Sequence, residues 1–241
     1  LVAPVEEDDG RGRRRRTTQA KDNKRGIPQG APISPLLSNL YMRRFLLGWK
    51  TLGLEERLQA RIVNFADDFV ICCRGTGEQA MDAMHTMMER LKLTVNEEKT
   101  GRCRIPQEHF DFLGYTFGRC YSTQTGRAYI GTRPSKKSVR KVCRTISEAT
   151  SRRWLLKDSE DRVEALNRVL VGWANYFSLG PVSKAYRAVD SHTTERLRRW
   201  LCKKHKRPGQ GTARFPDEHL YDVLGLQRLS VRTRDLPWAK A

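Results

Sequence analysis

The sequence predicts an α+β fold, in which an antiparallel sheet with helices is followed by a bundle of three helices. Segments rich in β-formers alternate with segments of helical periodicity up to about residue 131. From residue 135 to residue 207, apolar side chains recur at helical spacing. With 241 residues, of which 38% are hydrophobic, the chain is long and apolar enough to bury a sizeable core.

The amino-terminal part is expected to form an exposed loop or hairpin followed by a helix. Residues 1–25 contain the run "GRGRRRR" and almost no apolar side chains. A loop punctuated by glycine and proline follows, and Ser34 before Pro35 is typical of a helix start. We expect this helix to pack through one apolar face, formed by Leu36, Leu37, Leu40 and Leu47.

The stretch "IVNFADDFVIC" predicts a β-hairpin, because residues 62–65 and 69–73 are rich in β-formers. The polar pair Asp67 and Asp68 then lies at the turn. Methionines at helical spacing predict a helix over residues 80–91. Further short strands are expected at residues 93–96, 110–117 and 128–130, with turns at Gly118 and at Thr125-Gly126.

Three helices are expected between residues 135 and 207, with Gly180-Pro181 separating the last two. Their apolar positions are Val139, Val142, Ile146 and Trp154 on the first, Val163, Leu166, Leu170, Trp173 and Phe177 on the second, and Tyr186, Val189, Leu197 and Trp200 on the third. The segment "HLYDVLGLQRL" predicts one more short element. The predicted regions are therefore 1–25, 26–131, 132–207 and 208–241.

The net charge of +19, from 46 Lys or Arg against 27 Asp or Glu, predicts a polyanionic partner. Residues 132–207 hold 20 Lys or Arg and 7 Asp or Glu, so this region carries +13 of the total. A stripe on the first helix of the bundle lies opposite its apolar face and comprises Lys137, Arg140, Lys141 and Arg144. Such a stripe is usually a solvated face, but the concentrated charge favours contact with the phosphates of RNA or of an RNA–DNA duplex.

The sequence also indicates the cellular compartment and argues against several classes of protein. The longest apolar runs are too short to cross a bilayer. The six cysteines form no CxxC pair, which is typical of reduced thiols in a cytosolic compartment. Cys202 and His205 lack a second half-site, so zinc is not predicted. A DNA-binding regulator fits poorly, because the sequence shows no helix-turn-helix pattern.

Two adjacent aspartates in a turn are usually solvated, but apolar strands on both sides would present Asp67 and Asp68 rigidly. Two carboxylates held in this way favour a hard divalent cation, and Mg²⁺ is commonly bound by one or two carboxylates together with substrate phosphates. The pattern therefore indicates metal-assisted phosphoryl transfer.

The ordered motifs "GIPQGAPISPLLSNLYM", "FADD", "NEEKT" and "FLGYTF" resemble the palm of reverse transcriptases, most closely those encoded by bacterial group II introns. The later "LVGWANYFSLGPVSKAY" resembles the thumb, or maturase domain, of the same family. The resemblance implies a partial polymerase palm followed by a three-helix thumb, and RNA-directed DNA synthesis in the bacterial cytoplasm. It implies Mg²⁺ as the cofactor, with Mn²⁺ as an alternative, and an RNA template, intron RNA, an RNA–DNA duplex and dNTPs as partners.

The resemblance also implies roles for particular residues. Asp67 would be a metal ligand, Asp68 would support the metal site or the primer end, and Lys99 would protonate the leaving pyrophosphate, unless it is only a solvated lysine. The expected nucleotide and template contacts are Gln29, Gly30, Phe65 and Ala66. The expected primer grip is Leu113, Gly114 and Tyr115. Phe65 stands where the family usually has tyrosine, from which we expect altered nucleotide handling rather than loss of metal.

The sequence departs from the family in lacking a recognisable third palm aspartate and the fingers before Gly26. We therefore expect a part of a larger enzyme that is inactive alone, complemented by an amino-terminal half on a separate chain or by a homodimer partner. The alternative is a non-catalytic RNA-binding module with a vestigial aspartate pair. No HNH-like motif follows the bundle, so second-strand DNA cleavage is not predicted.

Overall fold

The computed structural model describes residues 5–8, 14–17, 31–122, 125–209 and 211–236, and it has the expected α+β character, with helices and antiparallel sheets. The chain divides into two compact units, Leu1–Arg102 and Cys103–Ala241. This division falls earlier in the chain than residue 132, where the composition changes. The reason is that the sheet formed after residue 103 packs against the helices that follow it.

The first unit begins with an antiparallel pair, β1 (Val5–Asp8) and β2 (Arg14–Thr17). Helix α1 (Ser34–Thr51) follows, with Pro35 in its first turn, and then the short helix α2 (Leu54–Arg57). The predicted helix start is therefore correct to within one residue, since Ile33 occupies the N-cap position in place of Ser34.

The buried face of α1 differs from the predicted one. Leu36, Leu40 and Leu47 are 67%, 53% and 47% exposed. The residues buried instead are Met42, Phe45 and Trp49. These larger side chains remove more apolar area from water, and the Trp49 indole Nε1 donates a hydrogen bond to the carbonyl oxygen of Ala60 (3.2 Å).

Strands β3 (Ala60–Phe65) and β4 (Asp68–Cys73) form the predicted hairpin, and helix α3 (Glu78–Arg90) follows. The core of this unit lies between α1, α3 and the inner face of the hairpin. The strand expected at residues 93–96 is not formed in the described structure. Leu93 and Val95 pack against the helical core there instead of pairing with another strand.

In the second unit, β5 (Phe110–Phe112), β6 (Tyr115–Tyr121) and β7 (Ala128–Pro134) form an antiparallel sheet in the order β5-β6-β7. The single strand expected over residues 110–117 is interrupted, because Leu113 and Gly114 turn the chain with φ of 51° and 79°. Gly118, expected at a turn, lies within β6 opposite Gly131. A Cβ added at Gly118 would lie 2.9 Å from the Cβ of His109, so this strand position favours glycine for packing.

The predicted bundle is confirmed as α4 (Lys136–Ala149), α5 (Ser159–Tyr176) and α6 (Ser183–Lys204). Trp154, expected on the first helix, lies in a separate 3-10 helix, Arg152–Trp154. The centre of the bundle is formed by the fully buried side chains of Ile146, Leu166, Leu170, Tyr186, Leu197 and Trp200. None of the described helices has the length and hydropathy that a membrane crossing requires.

The carboxy-terminal extension contributes two short elements rather than the single one expected. They are a π-helical turn, His219–Val223, and a 3-10 helix, Leu229–Asp235. Leu220, Leu226 and Leu229 are buried in the same core as the bundle helices. Residues 211–236 are therefore an integral part of the helical unit.

Candidate functional site

The tip of the β3–β4 hairpin places Asp67 in the turn and Asp68 at the first position of β4. Because Phe65 pairs with Asp68, the turn consists of Ala66 and Asp67, and Ala66 has a left-handed φ of 55°. The Asn64 side-chain Nδ2 donates hydrogen bonds to the carbonyl oxygens of Ala66 (2.8 Å) and Asp68 (3.3 Å). The side chain of Asn64 thus closes the turn and fixes the backbone that carries both carboxylates.

The inner face of the hairpin is anchored to the helices of the first unit. The Phe69 ring lies 5.3 Å from the Phe45 ring, centroid to centroid, and Ile62 and Ile71 pack into the same cluster. At the opposite end of the hairpin, Ala60 is fully buried. Since the packed core holds both strands, the turn at the tip is presented on a rigid support.

The outer face of the hairpin combines an acid with exposed apolar side chains. Residues directly opposite one another on paired strands share a face, so Phe65 and Asp68 point to the same side. Phe65 is 62% exposed, and Val63, two residues before it, is 54% exposed. An aromatic ring beside a carboxylate can contact a sugar or a base while the carboxylate faces a cation.

The pair Asp67 and Asp68 has the donor chemistry that Mg²⁺ prefers, since both side chains are exposed carboxylates on adjacent residues. Among the described residues, no group of three or more His, Cys, Asp and Glu side chains is close enough to form a metal site. One or two carboxylates together with substrate phosphates and water are a common way of binding Mg²⁺.

The structure describes only one of three further predicted site residues, Lys99, Gln29 and Gly30. Lys99 is exposed in a turn closed by Asn96, whose carbonyl and side-chain oxygens both accept from the Lys99 backbone N–H (3.1 and 3.2 Å). Within the residues that the structure describes, no hydrogen bond or ion pair joins Lys99 to the aspartates. Gln29 and Gly30 lie outside the described residues.

The expected primer grip, Leu113 to Tyr115, is the turn between β5 and β6, and it is locked to the bundle by reciprocal hydrogen bonds. The Tyr115 hydroxyl donates to the Tyr176 carbonyl oxygen (2.5 Å), and the Tyr176 hydroxyl donates to the Leu113 carbonyl oxygen (3.0 Å). The Ser138 hydroxyl donates to the Gly114 carbonyl oxygen (2.7 Å). The turn is thus positioned by α4 and α5 and is not a free loop.

Packing around this turn explains its residue types. A Cβ at Gly114 would lie 2.9 Å from Ser138 Oγ and 3.0 Å from the Phe177 ring, so an alanine there would crowd the helices. The Tyr115 side chain is buried beside Phe177, and this burial raises the pKa of its hydroxyl. The sequence pattern did not indicate Tyr176 and Ser138, since a tyrosine near a helix end and a serine in a first turn are individually unremarkable.

Helix α4 carries the predicted basic stripe, defined by Lys137, Arg140, Lys141 and Arg144, and all four side chains are exposed. On its other side, Val142 and Ile146 are buried in the bundle core. Ser135 caps the helix by accepting a hydrogen bond from the Ser138 backbone N–H (3.1 Å). In the described part of the chain, no ion pair to an acidic side chain neutralises the stripe.

Comparison with known families gives two matches, one in each half of the chain. A family model described as reverse transcriptase (RNA-dependent DNA polymerase) matches residues 12–117. A second model, described as group II intron, maturase-specific domain, matches residues 139–215. No curated protein matches the chain at a significant level. The first match contains the aspartate hairpin and the β5–β6 turn, and the second contains most of α4 and the remaining bundle.

Proposed function

The chain belongs to the family of group II intron reverse transcriptases and maturases, and from this premise we propose that its protein copies RNA into DNA with Mg²⁺ and binds intron RNA to assist splicing and mobility. The observation that supports the catalytic part of this proposal is the rigid β3–β4 hairpin, which presents Asp67 and Asp68 side by side at an exposed tip. We place this activity in the bacterial cytoplasm, where RNA template, intron RNA and dNTPs occur together.

In this proposal Asp67 and Asp68 would hold the cation where the incoming nucleotide and the primer end bind. The bound Mg²⁺ would neutralise charge on the attacking and leaving oxygens of the displacement. Asp67, in the turn, is the principal ligand, and Asp68, at the start of β4, supports the site. Asn64 keeps both backbone positions fixed and so limits the reorganisation needed when substrate binds.

The neighbouring side chains have positioning roles. Phe65 shares a face with Asp68 and is exposed, so its ring can pack against the primer or the nucleotide without donating a hydrogen bond. Ala66, Gln29 and Gly30 would contact nucleotide and template through backbone or amide groups. Lys99 would protonate the leaving pyrophosphate after moving toward the substrate from its exposed turn.

The β5–β6 turn would support the primer strand as a fixed wall. Its carbonyl groups at Leu113 and Gly114 are engaged by Tyr176 and Ser138, so the bundle determines the position of the turn. The Tyr115 hydroxyl is likewise bonded within the protein. The turn would therefore act through the shape of its backbone and the Leu113 side chain, since these carbonyl groups already have partners.

The basic stripe of α4 would bind the phosphates of intron RNA or of the RNA–DNA duplex. Four exposed cations at positions i, i+3, i+4 and i+7 form a line along one helix face. A backbone of regularly spaced phosphates complements such a line, and the release of counterions would supply much of the affinity.

Primer extension on an RNA template tests the catalytic proposal. We expect the 241 residues alone to give no Mg²⁺-dependent extension, because the hairpin supplies two carboxylates and a two-metal site needs a further one. Extension should appear when a separately expressed palm-and-fingers segment of a related enzyme is added, and should disappear when Mg²⁺ is withheld. Robust extension by the chain alone would contradict the expected dependence on a further carboxylate.

A second candidate function is RNA binding without catalysis, and the exposed basic stripe of α4 favours it. This candidate predicts salt-dependent RNA binding together with no DNA synthesis, whatever segment is added. The complemented reaction therefore distinguishes the two functions. Both functions require RNA binding, but only the catalytic function requires extension of the primer.

A further inference from the structure

The outer face of the β6–β7 hairpin is open to solvent at its far end, although it exposes large apolar side chains. Tyr121 is 60% exposed and Ile130 is 65% exposed. Tyr121 pairs with Ala128, and Arg119 pairs with Ile130. Since paired and alternate residues share a face, these four side chains form one surface, here called the Tyr121 platform.

The near end of the same sheet face is covered by the bundle. Tyr115 lies on this face and packs against Phe177 at 5.0 Å between ring centroids. The backbone at Gly180 passes so close to β7 that a Cβ would lie 1.8 Å from the Thr132 carbonyl oxygen. The far end is therefore the exposed part of a sheet face whose near end packs on the bundle. This packing keeps the sheet rigid.

Charge on this face favours an anionic ligand. Arg119 is exposed, and among the described residues of β5, β6 and β7 whose side chains share the face, none is acidic. The sheet's aspartate, Asp111, pairs with Thr116 on the opposite face, where its carboxylate accepts a hydrogen bond from the Thr116 hydroxyl (2.5 Å). A second copy of this chain, with a formal net charge of +19, would be repelled from the platform.

The spacing of the planar groups suits successive bases. Phe117, Arg119 and Tyr121 are alternate residues of β6, so they follow one another at steps of about 7 Å. Phe117 stacks on Phe110 with an interplanar angle of 13°, which fixes the orientation of its ring. Aromatic rings and arginine guanidinium planes both stack on unpaired bases, with little dependence on sequence.

We propose that the Tyr121 platform binds single-stranded RNA, with an unpaired base stacked on Tyr121 and Arg119 contacting a base plane or a phosphate. Ile130 supplies apolar contact beside the stacked base, and Ala128 leaves room for the tyrosine ring. This inference rests on the proposed RNA-binding function and adds to it a site that prefers unpaired RNA. The basic stripe of α4, by contrast, would contact phosphates and would therefore bind a duplex as well as a single strand.

Fluorescence anisotropy with a labelled oligouridine tests the proposal, with an RNA duplex as the second probe. Tyr121→Ala should weaken oligouridine binding by roughly 5- to 150-fold, which corresponds to about 1–3 kcal/mol for one stacked base. Tyr121→Phe should retain the affinity, because it keeps the ring. Duplex affinity should stay within about twofold of the unaltered chain in both variants, since stacking needs an unpaired base.

The matched control is Tyr41→Ala, which removes a tyrosine that is 41% exposed on α1, outside the platform. This variant should leave oligouridine binding unchanged. Arg119→Gln should lower the slope of log affinity against log salt by about 0.7 for the single strand.

The outcomes separate this inference from the proposed function. The stripe variant has Gln in place of Lys137, Arg140, Lys141 and Arg144. If it loses duplex binding while Tyr121→Ala binds oligouridine as the unaltered chain does, the Tyr121 platform is not an RNA site and only this inference fails. If the unaltered chain binds neither probe, the RNA-binding function fails as well. If light scattering shows a dimer that Tyr121→Ala converts to monomer, the platform is an interface between copies and the inference is wrong.

Discussion

Gly180 shows how a single backbone position joins the sheet and the bundle of the second unit. It has a left-handed φ of 74°, and a Cβ there would lie 1.8 Å from the carbonyl oxygen of Thr132. Backbone, unlike a flexible side chain, cannot move aside cheaply. The connection between α5 and α6 can therefore approach β7 only because residue 180 is glycine.

We expect Gly180→Ala to lower the free energy of unfolding by about 2–5 kcal/mol, through overpacking and left-handed strain together. Gly172→Ala is the matched control, because Gly172 lies within α5 and a Cβ there meets nothing within 4 Å. That variant should be neutral or up to about 1 kcal/mol more stable. Urea denaturation of both variants measures the difference, and equal stabilities would show that β7 and the α5–α6 connection are not packed as described.

At the scale of one secondary-structure element, α4 has its packing side chains on one face and its proposed RNA-binding side chains on the other. Val142 and Ile146 are buried, whereas the basic stripe is exposed. Replacing the stripe should therefore change RNA binding without changing the fold.

The slope of log RNA affinity against log salt should fall by about two to four units when the stripe residues Lys137, Arg140, Lys141 and Arg144 are changed to Gln. The reason is that each neutralised phosphate contributes about 0.7–0.9 to this slope. The control removes the same charge elsewhere, by changing four exposed cations of the first unit to Gln: Arg43, Arg44, Lys50 and Arg90. The control should alter the slope by less than one unit. If both quadruple variants lose the same slope, net charge rather than α4 governs binding.

Elements with a strong local pattern were predicted well from the sequence. Helix α4 has one apolar and one basic face, so its position and its two surfaces both followed from periodicity. The β3–β4 hairpin was predicted because β-formers flank a polar turn, although Asp68 proved to begin the strand. These features depend on residues close together in the sequence.

Features decided by distant contacts were not predicted. Helix α1 has apolar residues on more than one side, and packing with β3 and α3 buries Phe45 and Trp49 in place of the leucines. The break at Leu113-Gly114 depends on hydrogen bonds from Tyr176 and Ser138, which are far away in the chain. Periodicity carries no information about either contact.

At the scale of the whole second unit, one carboxylate ties the extension to the bundle. Asp190 of α6 is 8% exposed, and its two side-chain oxygens accept from the backbone N–H groups of Leu229 and Ser230, each at 2.9 Å. Leu229 is fully buried next to this contact. The start of the last 3-10 helix is thus held by charge-assisted hydrogen bonds as well as by apolar packing.

Asp190→Ala should lower the free energy of unfolding by about 2–4 kcal/mol, because it leaves two backbone donors without their charged acceptor. Amide hydrogen exchange should accelerate most in residues 219–236. Asp222→Ala, which removes an exposed aspartate of the extension, should change stability by less than about 0.5 kcal/mol. Exchange that accelerates equally throughout the unit would show that the extension and the bundle unfold as one cooperative body.

The proposed role of the β3–β4 hairpin as the catalytic metal site is tested most directly by Asp67→Ala in the complemented enzyme. RNA-templated extension and RNA affinity should be measured on the same preparation, with Asp82→Ala on α3 as the control for loss of an exposed aspartate. We expect Asp67→Ala to abolish extension while RNA affinity changes by less than about twofold, because a metal ligand acts on the transition state and phosphate contacts elsewhere hold the template. Extension that persists in Asp67→Ala, or RNA affinity that falls as far as activity does, would contradict this role and make the hairpin a structural element.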